Sequence, residues 1–446
     1  MQNHLTLAQM LESASESAMK KKLGSLKPKQ REVLESLACR KNTFAALPTG
    51  YGKSLCAWMP AAAWGWKVWV ISPLVSLIAD QALACETFGL DVIAWRGGLP
   101  REERRRLEVK MASGRWQICF LSPERLVHWF QSGFFADARE FGFDPDLLVL
   151  DEMHCLEEWR AFRSSYQSLN SPMQDLLVGG SLFLGLSASL SISESKAWMQ
   201  EICGTYTQVL APLGRENLFL GVLPMEHEHE RWLFLVSCLR ELEFPKSALV
   251  YCATREEADE TSRWLRSMGM DAVAFHAGLS GAERNSRVWA FRTGLLRIVC
   301  ATSAFGMGID YPHVDRVIHF SMPRDLESYW QEVGRAGRSG ERAEGIAFWR
   351  RSEIVRARLG KASEGARFLA LWDAWSRRDC RKMEIAKKLG LVQEPCGNCD
   401  ACGGQSRILE ASSQAWWTKF PKDLREWLRF SHIIPDEVKR SVGFLR

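Results

Sequence analysis

Short apolar runs recur along the chain, and segments with helical spacing separate them. In the first half they cover residues 44–47, 67–71, 117–121, 146–150 and 178–186, and in the second half residues 247–251, 297–301 and 316–320. Runs that are continuously apolar, rather than alternating, predict strands buried on both faces. Their alternation with helical patterns, such as residues 5–20 and 255–267, predicts an α/β fold with two tandem parallel sheets.

The length of 446 residues exceeds what one hydrophobic core usually serves, so several domains are expected. The pattern predicts a first lobe over 1–207, a second over 208–350, a small helical subdomain over 351–405 and a short helical tail over 406–446. No stretch resembles a signal peptide or a span of roughly 18 apolar residues, so we expect a cytoplasmic protein. Most of the thirteen cysteines stand singly in apolar runs, as buried reduced thiols do.

Charge is unevenly distributed along the chain. The net charge is +5, but residues 350–446 alone hold 20 Lys and Arg against 12 Asp and Glu. This basic excess suits a polyanionic partner such as nucleic acid, and it equally suits a solvated surface.

Residues 47–54, LPTGYGKS, predict a phosphate-binding turn between a strand and a helix. Glycines let the backbone curl around an anion, and the amides at a helix start attract phosphate. The lysine would reach the outer phosphates and the serine would hold Mg²⁺. Upstream, a glutamine amide matches the adenine edge, although a surface glutamine is the common alternative. The candidate nucleotide-binding residues here are Lys27, Gln30, Thr49, Gly50, Gly52, Lys53 and Ser54.

Two carboxylates, Asp151 and Glu152, directly follow the apolar run at 146–150. The first could join the magnesium shell and the second could polarise an attacking water. Two other runs end in Ser-Pro turns, which the sheet would place at the same edge, where they could track a sugar-phosphate backbone or be ordinary loops. The candidate nucleic-acid contacts in these turns are Ser72, Pro73, Ser76, Ser122, Glu124 and Arg125.

Later motifs resemble those of RecQ DNA helicases, a family of helicase superfamily 2, in order and spacing. They are YCAT at 251–254, FHAGL at 275–279, FGMGID at 305–310 and QEVGRAGR at 331–338. The resemblance, which covers roughly residues 20–405, implies RecA-like lobes, ATP and Mg²⁺ as cofactors, and 3′-to-5′ movement on DNA. It implies roles for Gly308 and Asp310 at the nucleotide, and for His276 and Thr302 at the nucleic acid.

The first lobe has no arginine pair that could neutralise charge on a transferred phosphoryl group. Arg335 and Arg338 could supply it as arginine fingers, with Gln331 beside them, so hydrolysis would require the lobes to close. In the family an aromatic-rich loop follows the carboxylate pair, and here it is one residue short between Trp159 and Phe162. With Arg163, these aromatics could contact bases by stacking, or they could be core residues.

Four cysteines near the C-terminus have metal-ligand spacing. Cys396, Cys399 and Cys402 are separated by two residues each, and Cys380 lies upstream at the end of a predicted basic helix spanning about residues 375–388. Four thiolates fit tetrahedral Zn²⁺, with an iron–sulfur cluster or unliganded thiols as alternatives. Only 44 residues follow Cys402, which is too short for the family's winged-helix and C-terminal modules.

These observations favour an ATP-dependent DNA helicase acting in DNA repair or recombination. The expected partners are single-stranded and branched or tailed duplex DNA, with single-strand-binding or repair proteins as further candidates, and the expected state is a monomer. Two rivals stay open: a single-strand-dependent translocase with little unwinding, and a non-catalytic nucleic-acid scaffold. Retention of Lys53, Asp151, Glu152, Arg335 and Arg338 argues against the scaffold.

Overall fold

The structure is a computed structural model, and it divides into two compact units. Among the described residues, the first comprises those of 7–214 with Leu389–Leu391, and the second comprises those of 215–305, 313–388 and 392–406. The residues described are 7–20, 25–48, 50–73, 75–135, 144–153, 168–188, 192–225, 228–240, 242, 245–303, 305, 313–359, 362–404 and 406.

The first unit contains a seven-stranded parallel sheet. The strand order is β3-β4-β2-β5-β6-β1-β7, and every pair is parallel. The strands are β1 (Thr43–Ala46), β2 (Val68–Ile71), β3 (Val92–Trp95), β4 (Ile118–Leu121), β5 (Leu147–Leu150), β6 (Leu182–Ser187) and β7 (Thr207–Leu210). The helices are α1 (Leu7–Lys20), α2 (Pro28–Ala38), α3 (Lys53–Trp64), α4 (Val75–Thr87), α5 (Arg101–Ala112), α6 (Pro123–Gln131), α7 (Asn170–Val178) and α8 (Ile192–Cys203).

The second unit contains a six-stranded sheet that is also parallel. Its order is β10-β11-β9-β12-β13-β8. The strands are β8 (Leu218–Met225), β9 (Ser247–Tyr251), β10 (Ala272–Phe275), β11 (Ile298–Ala301), β12 (Val314–His319) and β13 (Ala343–Arg350). The helices are α9 (Glu228–Arg240), α10 (Arg255–Ser267), α11 (Gly281–Arg292), α12 (Leu326–Val333), α13 (Arg351–Leu359), α14 (Ala362–Ser376) and α15 (Arg381–Lys388), followed by a 3-10 turn at Asp400–Cys402.

Strand β5 shows why the apolar runs are continuous. Leu148 and Leu150 pack in the core on one face of the sheet, and Leu147 and Val149 pack in the core on the other. Since helices cover both faces of a parallel sheet, neither set of side chains faces water. The two predicted parallel α/β lobes are confirmed.

Three details differ from the sequence prediction. The run at 178–186 becomes a strand only from Leu182, because Asn170–Val178 is helical. Strand β7 belongs to the first sheet, so the units divide at Gly214 and Arg215 rather than at 207. The predicted single helix near 375–388 is two helices, α14 and α15, and Cys380 lies in the break between them.

Candidate functional site

The glycine-rich turn lies between β1 and α3, at the carboxyl edge of the first sheet. Gly50 and Gly52 have φ angles of 78° and 87°, in the left-handed region that favours glycine. A Cβ on Gly52 would come 2.6 Å from Nε2 of Gln30. Thr49 lies outside the described residues.

Lys27 and Gln30, at the start of α2, donate hydrogen bonds to the backbone of the glycine-rich turn. Nζ of Lys27 donates to the carbonyl of Gly50 at 3.1 Å, and Nε2 of Gln30 donates to the carbonyls of Tyr51 and Gly52 at 2.9 and 3.0 Å. Oε1 of Gln30 accepts from the backbone amide of Lys27 at 2.8 Å. Both ends of the buried Gln30 amide therefore bind backbone here, and an adenine contact would require it to exchange partners.

Lys53, the first residue of α3, forms an ion pair with Glu152 from the loop after β5. Nζ lies 3.2 and 3.1 Å from the two Glu152 carboxylate oxygens. Glu152 has a φ of 48°, which is uncommon for a non-glycine residue and marks local backbone strain. The structure therefore brings the predicted phosphate-binding lysine and the predicted water-polarising carboxylate together.

Asp151 is buried beside this pair. Its Oδ2 accepts from Nε2 of Gln81 at 2.8 Å, and its Oδ1 accepts from the amide of Glu152 at 3.0 Å. Burial, followed by repulsion from Glu152, raises the pKa of Asp151 from 3.8 to about 6, although Lys53 and the two hydrogen bonds oppose the rise. A buried carboxylate whose charge is only partly compensated is a suitable ligand for a divalent cation. Ser54 is half-buried in the same first turn of α3 as Lys53.

The two Ser-Pro turns also lie at this edge, because β2 pairs with both β4 and β5 in register. Ser72 and Pro73 are buried, so the Ser72 hydroxyl cannot contact a nucleic acid unless the turn rearranges. Ser122 caps α6 by accepting from the amide of Arg125, whose guanidinium lies 5.1 Å from the centre of the Trp95 ring. Glu124 is exposed. Ser76 is in α4, and its side chain is outside the described part.

The remaining predicted sites fall in two groups. His276 is buried, with Nε2 3.2 Å from an Asp259 carboxylate oxygen, and Thr302 is half-buried with its amide donating to Phe275. Five predicted residues lie outside the described ranges: Trp159, Phe162, Arg163, Gly308 and Asp310.

The second unit presents the turn at residues 334–341, which follows α12 and is called the arginine turn below. Gln331 is half-buried in the last turn of α12, Arg335 is buried and Arg338 is half-buried. Gly337 has a φ of 63°, and a Cβ there would come 2.7 Å from both Cβ of Ala343 and Nδ2 of Asn217. No larger residue fits this position without displacing its neighbours.

Two residues that the sequence did not single out bind the arginine turn. Arg215 donates to the carbonyls of Gly334, at 2.9 Å, and Ala336. Nδ2 of Asn217 donates to the carbonyls of Gly337 and Glu341 at 2.8 and 2.6 Å. Because these side chains bind backbone across more than a hundred residues of chain, no local pattern could have indicated them.

The four predicted cysteine ligands are brought together. The sulfur atoms of Cys380, Cys396, Cys399 and Cys402 all lie within 4.8 Å of one another. A tetrahedral Zn²⁺ with bonds of about 2.3 Å needs sulfurs about 3.8 Å apart, so the group fits zinc after a small contraction. Backbone amides of Cys396, Asn398 and Arg381 donate to three of the sulfurs, an arrangement that favours thiolates.

Two helicase-family models and several curated relatives match this chain. Residues 27–197 match the DEAD/DEAH box helicase family, and residues 231–340 match the helicase conserved C-terminal domain. ATP-dependent DNA helicase RecQ of Pasteurella multocida is 28% identical over 85% of this chain and 60% of its own length. ATP-dependent DNA helicase Q1 of Mus musculus is 29% identical over 85% of this chain and 59% of its own. The chain thus spans about three fifths of the length of these curated relatives.

Solved structures share the fold at lower identity. The helicase Lhr of Mycobacterium smegmatis, bound to ssDNA and AMP-PNP, gives a TM-score of 0.62 at 21% identity, covering 85% of this chain and 55% of Lhr. Dbp5 of S. cerevisiae, bound to RNA and ADP BeF3, gives 0.59 at 16% identity, covering 86% of this chain and 93% of Dbp5.

Each of the two parallel α/β lobes contains a range that matches a helicase-family model, and the phosphate turn lies within the first of these ranges. The relatives named RecQ and Q1, at 28% and 29% identity, agree with the resemblance of the motifs to RecQ DNA helicases. No helix in the described ranges combines the length and the apolar character needed to cross a membrane.

Proposed function

We propose that this protein is an ATP-dependent DNA helicase that moves 3′ to 5′ along single-stranded DNA and unwinds duplexes during repair or recombination. The observation that carries the proposal is the Lys53–Glu152 ion pair, which lies beside the buried Asp151. Lys53 directly follows the turn in which Gly50 and Gly52 have left-handed φ angles.

Each of these residues has a distinct role in the proposal. ATP with Mg²⁺ would supply the transferable phosphoryl group and the positive charge that offsets the charge of its oxygens. Lys53 binds the outer phosphates, Ser54 and Asp151 hold the magnesium shell, and Glu152 orients the attacking water and accepts its proton. Gly308 and Asp310 are proposed at the nucleotide by family resemblance.

The Lys53–Glu152 ion pair gives the order of events in the proposal. The two side chains neutralise each other at 3.1 Å. Phosphate oxygens carry more negative charge than one carboxylate and would compete for the lysine. Glu152 would then be free to accept a hydrogen bond from water, so the general base becomes available only after ATP has bound.

The second unit supplies Arg335 and Arg338 as the charge-neutralising pair, with Gln331 beside them. Single-stranded and branched or tailed DNA is the proposed partner, since the curated relatives are named DNA helicases. Ser122, Arg125, His276, Thr302 and the loop with Trp159 are the proposed contacts. Zn²⁺ in the four-cysteine group would stabilise a segment that is too small to hold itself together.

The decisive experiment measures ATP hydrolysis with and without ssDNA, and displacement of a strand from 3′-tailed and 5′-tailed duplexes in the same samples. Stimulated turnover with displacement from the 3′-tailed duplex alone is expected. Stimulated turnover without displacement would reassign the protein as a translocase, and absence of turnover would refute the enzymatic proposal.

Lys53→Ala tests the phosphate assignment. Turnover should be abolished while ssDNA binding persists, because the lysine binds phosphate and not DNA. Lys246→Ala is the matched control, since Lys246 forms an ion pair of the same length, 3.1 Å, with Asp315. Normal turnover in Lys53→Ala would remove the assignment.

A further inference from the structure

Residues 215–217, just before β8, contact both the arginine turn and the four-cysteine cluster, and they are called the bridging segment below. We propose that this segment makes the position of the arginine turn depend on the metal in the cysteine cluster, with Arg215 and Asn217 acting as positioning residues for Arg335 and Arg338. The proposal rests on the proposed function, because it assigns those arginines to ATP hydrolysis.

On one side, the bridging segment holds the arginine turn through four backbone carbonyls. Arg215 binds those of Gly334 and Ala336, and Asn217 binds those of Gly337 and Glu341. The amide of Asn217 also lies against Gly337, where a Cβ would come within 2.7 Å. Contacts this close leave no room for the turn to move independently of Asn217.

On the other side, residues of the cysteine cluster hold the backbone of the same segment. Nζ of Lys382 donates to the carbonyl of Arg215 at 2.6 Å, and Nδ2 of Asn398 donates to the carbonyl of Glu216 at 2.9 Å. Further along the edge strand, Asp400 accepts from the amide of Val222 at 3.0 Å, and Cys399 forms a β-bridge with Leu220. Each of these residues lies within two positions of a cysteine of the cluster.

Lys382 connects the cysteine cluster to this arrangement through geometry. It follows Cys380 by two residues, is 1% exposed and donates to the carbonyl of Arg215. Metal–sulfur bonds would fix the four cysteines and, with them, the backbone from which the Lys382 and Asn398 side chains reach the bridging segment. Loss of the metal would remove those bonds, so the cluster would no longer hold the backbone of residues 215–217 in place.

The expected consequence is a loss of turnover rather than of nucleotide binding. Arg335 is buried, so it has little freedom to correct a shift in the turn. A misplacement of about 1 Å can reduce a rate by about a hundredfold. The phosphate turn belongs to the first unit, so KM for ATP should change by no more than about twofold while kcat falls by about tenfold or more.

The first test uses Arg215→Lys, which keeps the charge but cannot reach two carbonyls, and Asn217→Asp, which replaces a donor with an acceptor facing two carbonyls. Arg297→Lys is the matched control, because Arg297 also binds two backbone carbonyls in the second unit, those of Lys246 and Leu242. The measurements are kcat, KM, zinc content, and amide hydrogen exchange of residues 334–341 by mass spectrometry.

In the first two variants we expect faster exchange in the arginine turn and reduced kcat, with zinc content retained. The Arg297→Lys control should leave both unchanged. Unchanged exchange at 334–341 in both bridging-segment variants would overturn the proposal, and so would an equal effect in the control.

The second test removes zinc with a chelator and then restores it. Exchange at 334–341 should rise on removal and return on restoration. If chelation unfolds the chain, Lys382→Met, which keeps all four cysteines, must reproduce the faster exchange at 334–341. If neither treatment changes exchange in this turn, the dependence on the cluster is refuted. Exchange needs no catalysis, so a wild-type protein without ATPase activity would refute the proposed function and leave this test in force.

Discussion

Asp151→Asn should stabilise the nucleotide-free protein while it abolishes ATP hydrolysis. Asparagine keeps the shape of the buried side chain, and the Gln81 amide can rotate to remain its hydrogen-bond partner. The charge of Asp151 is what destabilises the folded state, because burial raises its pKa to about 6 from 3.8. That difference corresponds to about 3 kcal/mol at a pH above both values.

The sign of the effect depends on pH. The pKa of Asp151 is about 6 in the folded state and 3.8 in the unfolded state. At a pH above 6 the charged carboxylate destabilises the fold by the full amount, and at a pH below 3.8 the protonated group does not destabilise it. Replacing it with asparagine should therefore raise the Tm of the first unit by about 5–10 °C at pH 8 and by about half as much at pH 5. The gain should also shrink when Mg²⁺ and a nucleotide bind the wild-type carboxylate.

The assay is thermal unfolding at several pH values without nucleotide or added magnesium. Asp146→Asn is the control, since Asp146 is half-buried and directly precedes the same strand, where its carboxylate accepts from the amide of Lys67. A Tm for Asp151→Asn at or below that of wild type at pH 8 would refute the reasoning, as would a gain of equal size at pH 5 and pH 8.

Three further changes test other parts of the site. Gly52→Ala places a Cβ 2.6 Å from the Gln30 amide at a φ of 87°. The affinity for ATP, measured by calorimetry, should fall about tenfold or more, and an affinity equal to that of wild type would contradict the turn geometry. Gly337→Ala should lower kcat and reduce the free energy of unfolding by about 2 kcal/mol, because a left-handed alanine alone costs about 1–2 kcal/mol; an unchanged Tm and kcat would argue against the observed packing. Cys399→Ser should reduce bound zinc from about one equivalent to less than about half by elemental analysis, and full retention would exclude Cys399 as a ligand.

Local patterns predicted most of the architecture. Buried strands such as Ser247–Tyr251 and helices such as Arg255–Ser267 have the predicted bounds, because continuous apolar runs and helical spacing are properties of short segments. The rule that parallel strands present their loops at one edge places the carboxylates after β5 near the phosphate turn, as expected, but the direct ion pair between Lys53 and Glu152 was not predicted. The break at Cys380 did not follow, because the cysteine cluster and the contact between Arg381 and Asp400 set the end of each helix there.

The sequence did not predict the hydrogen bonds that side chains donate to distant backbone carbonyls. Gln30 was predicted to face the adenine, but in this structure it binds carbonyls of the phosphate turn, which lies about twenty residues further on. Arg215 and Asn217 carried no signal at all, because their partners are carbonyl groups, which every residue has. A sequence reveals side-chain chemistry, but it does not reveal which distant backbone a side chain will bind.

The position of β8 in the second sheet has a consequence for synthesis of the protein. It is the first strand of its sheet to be made, yet it lies at the edge beside β13, the last strand to be made. Domains generally fold in the order in which they leave the ribosome, so the residues before 215, which carry the whole first sheet, can fold early. Residues 215–217 can form their contacts only after the arginine turn, and then the cysteines at 396–402, have been synthesised. Under the proposed function, a nascent chain should therefore be able to bind ATP before it can hydrolyse it.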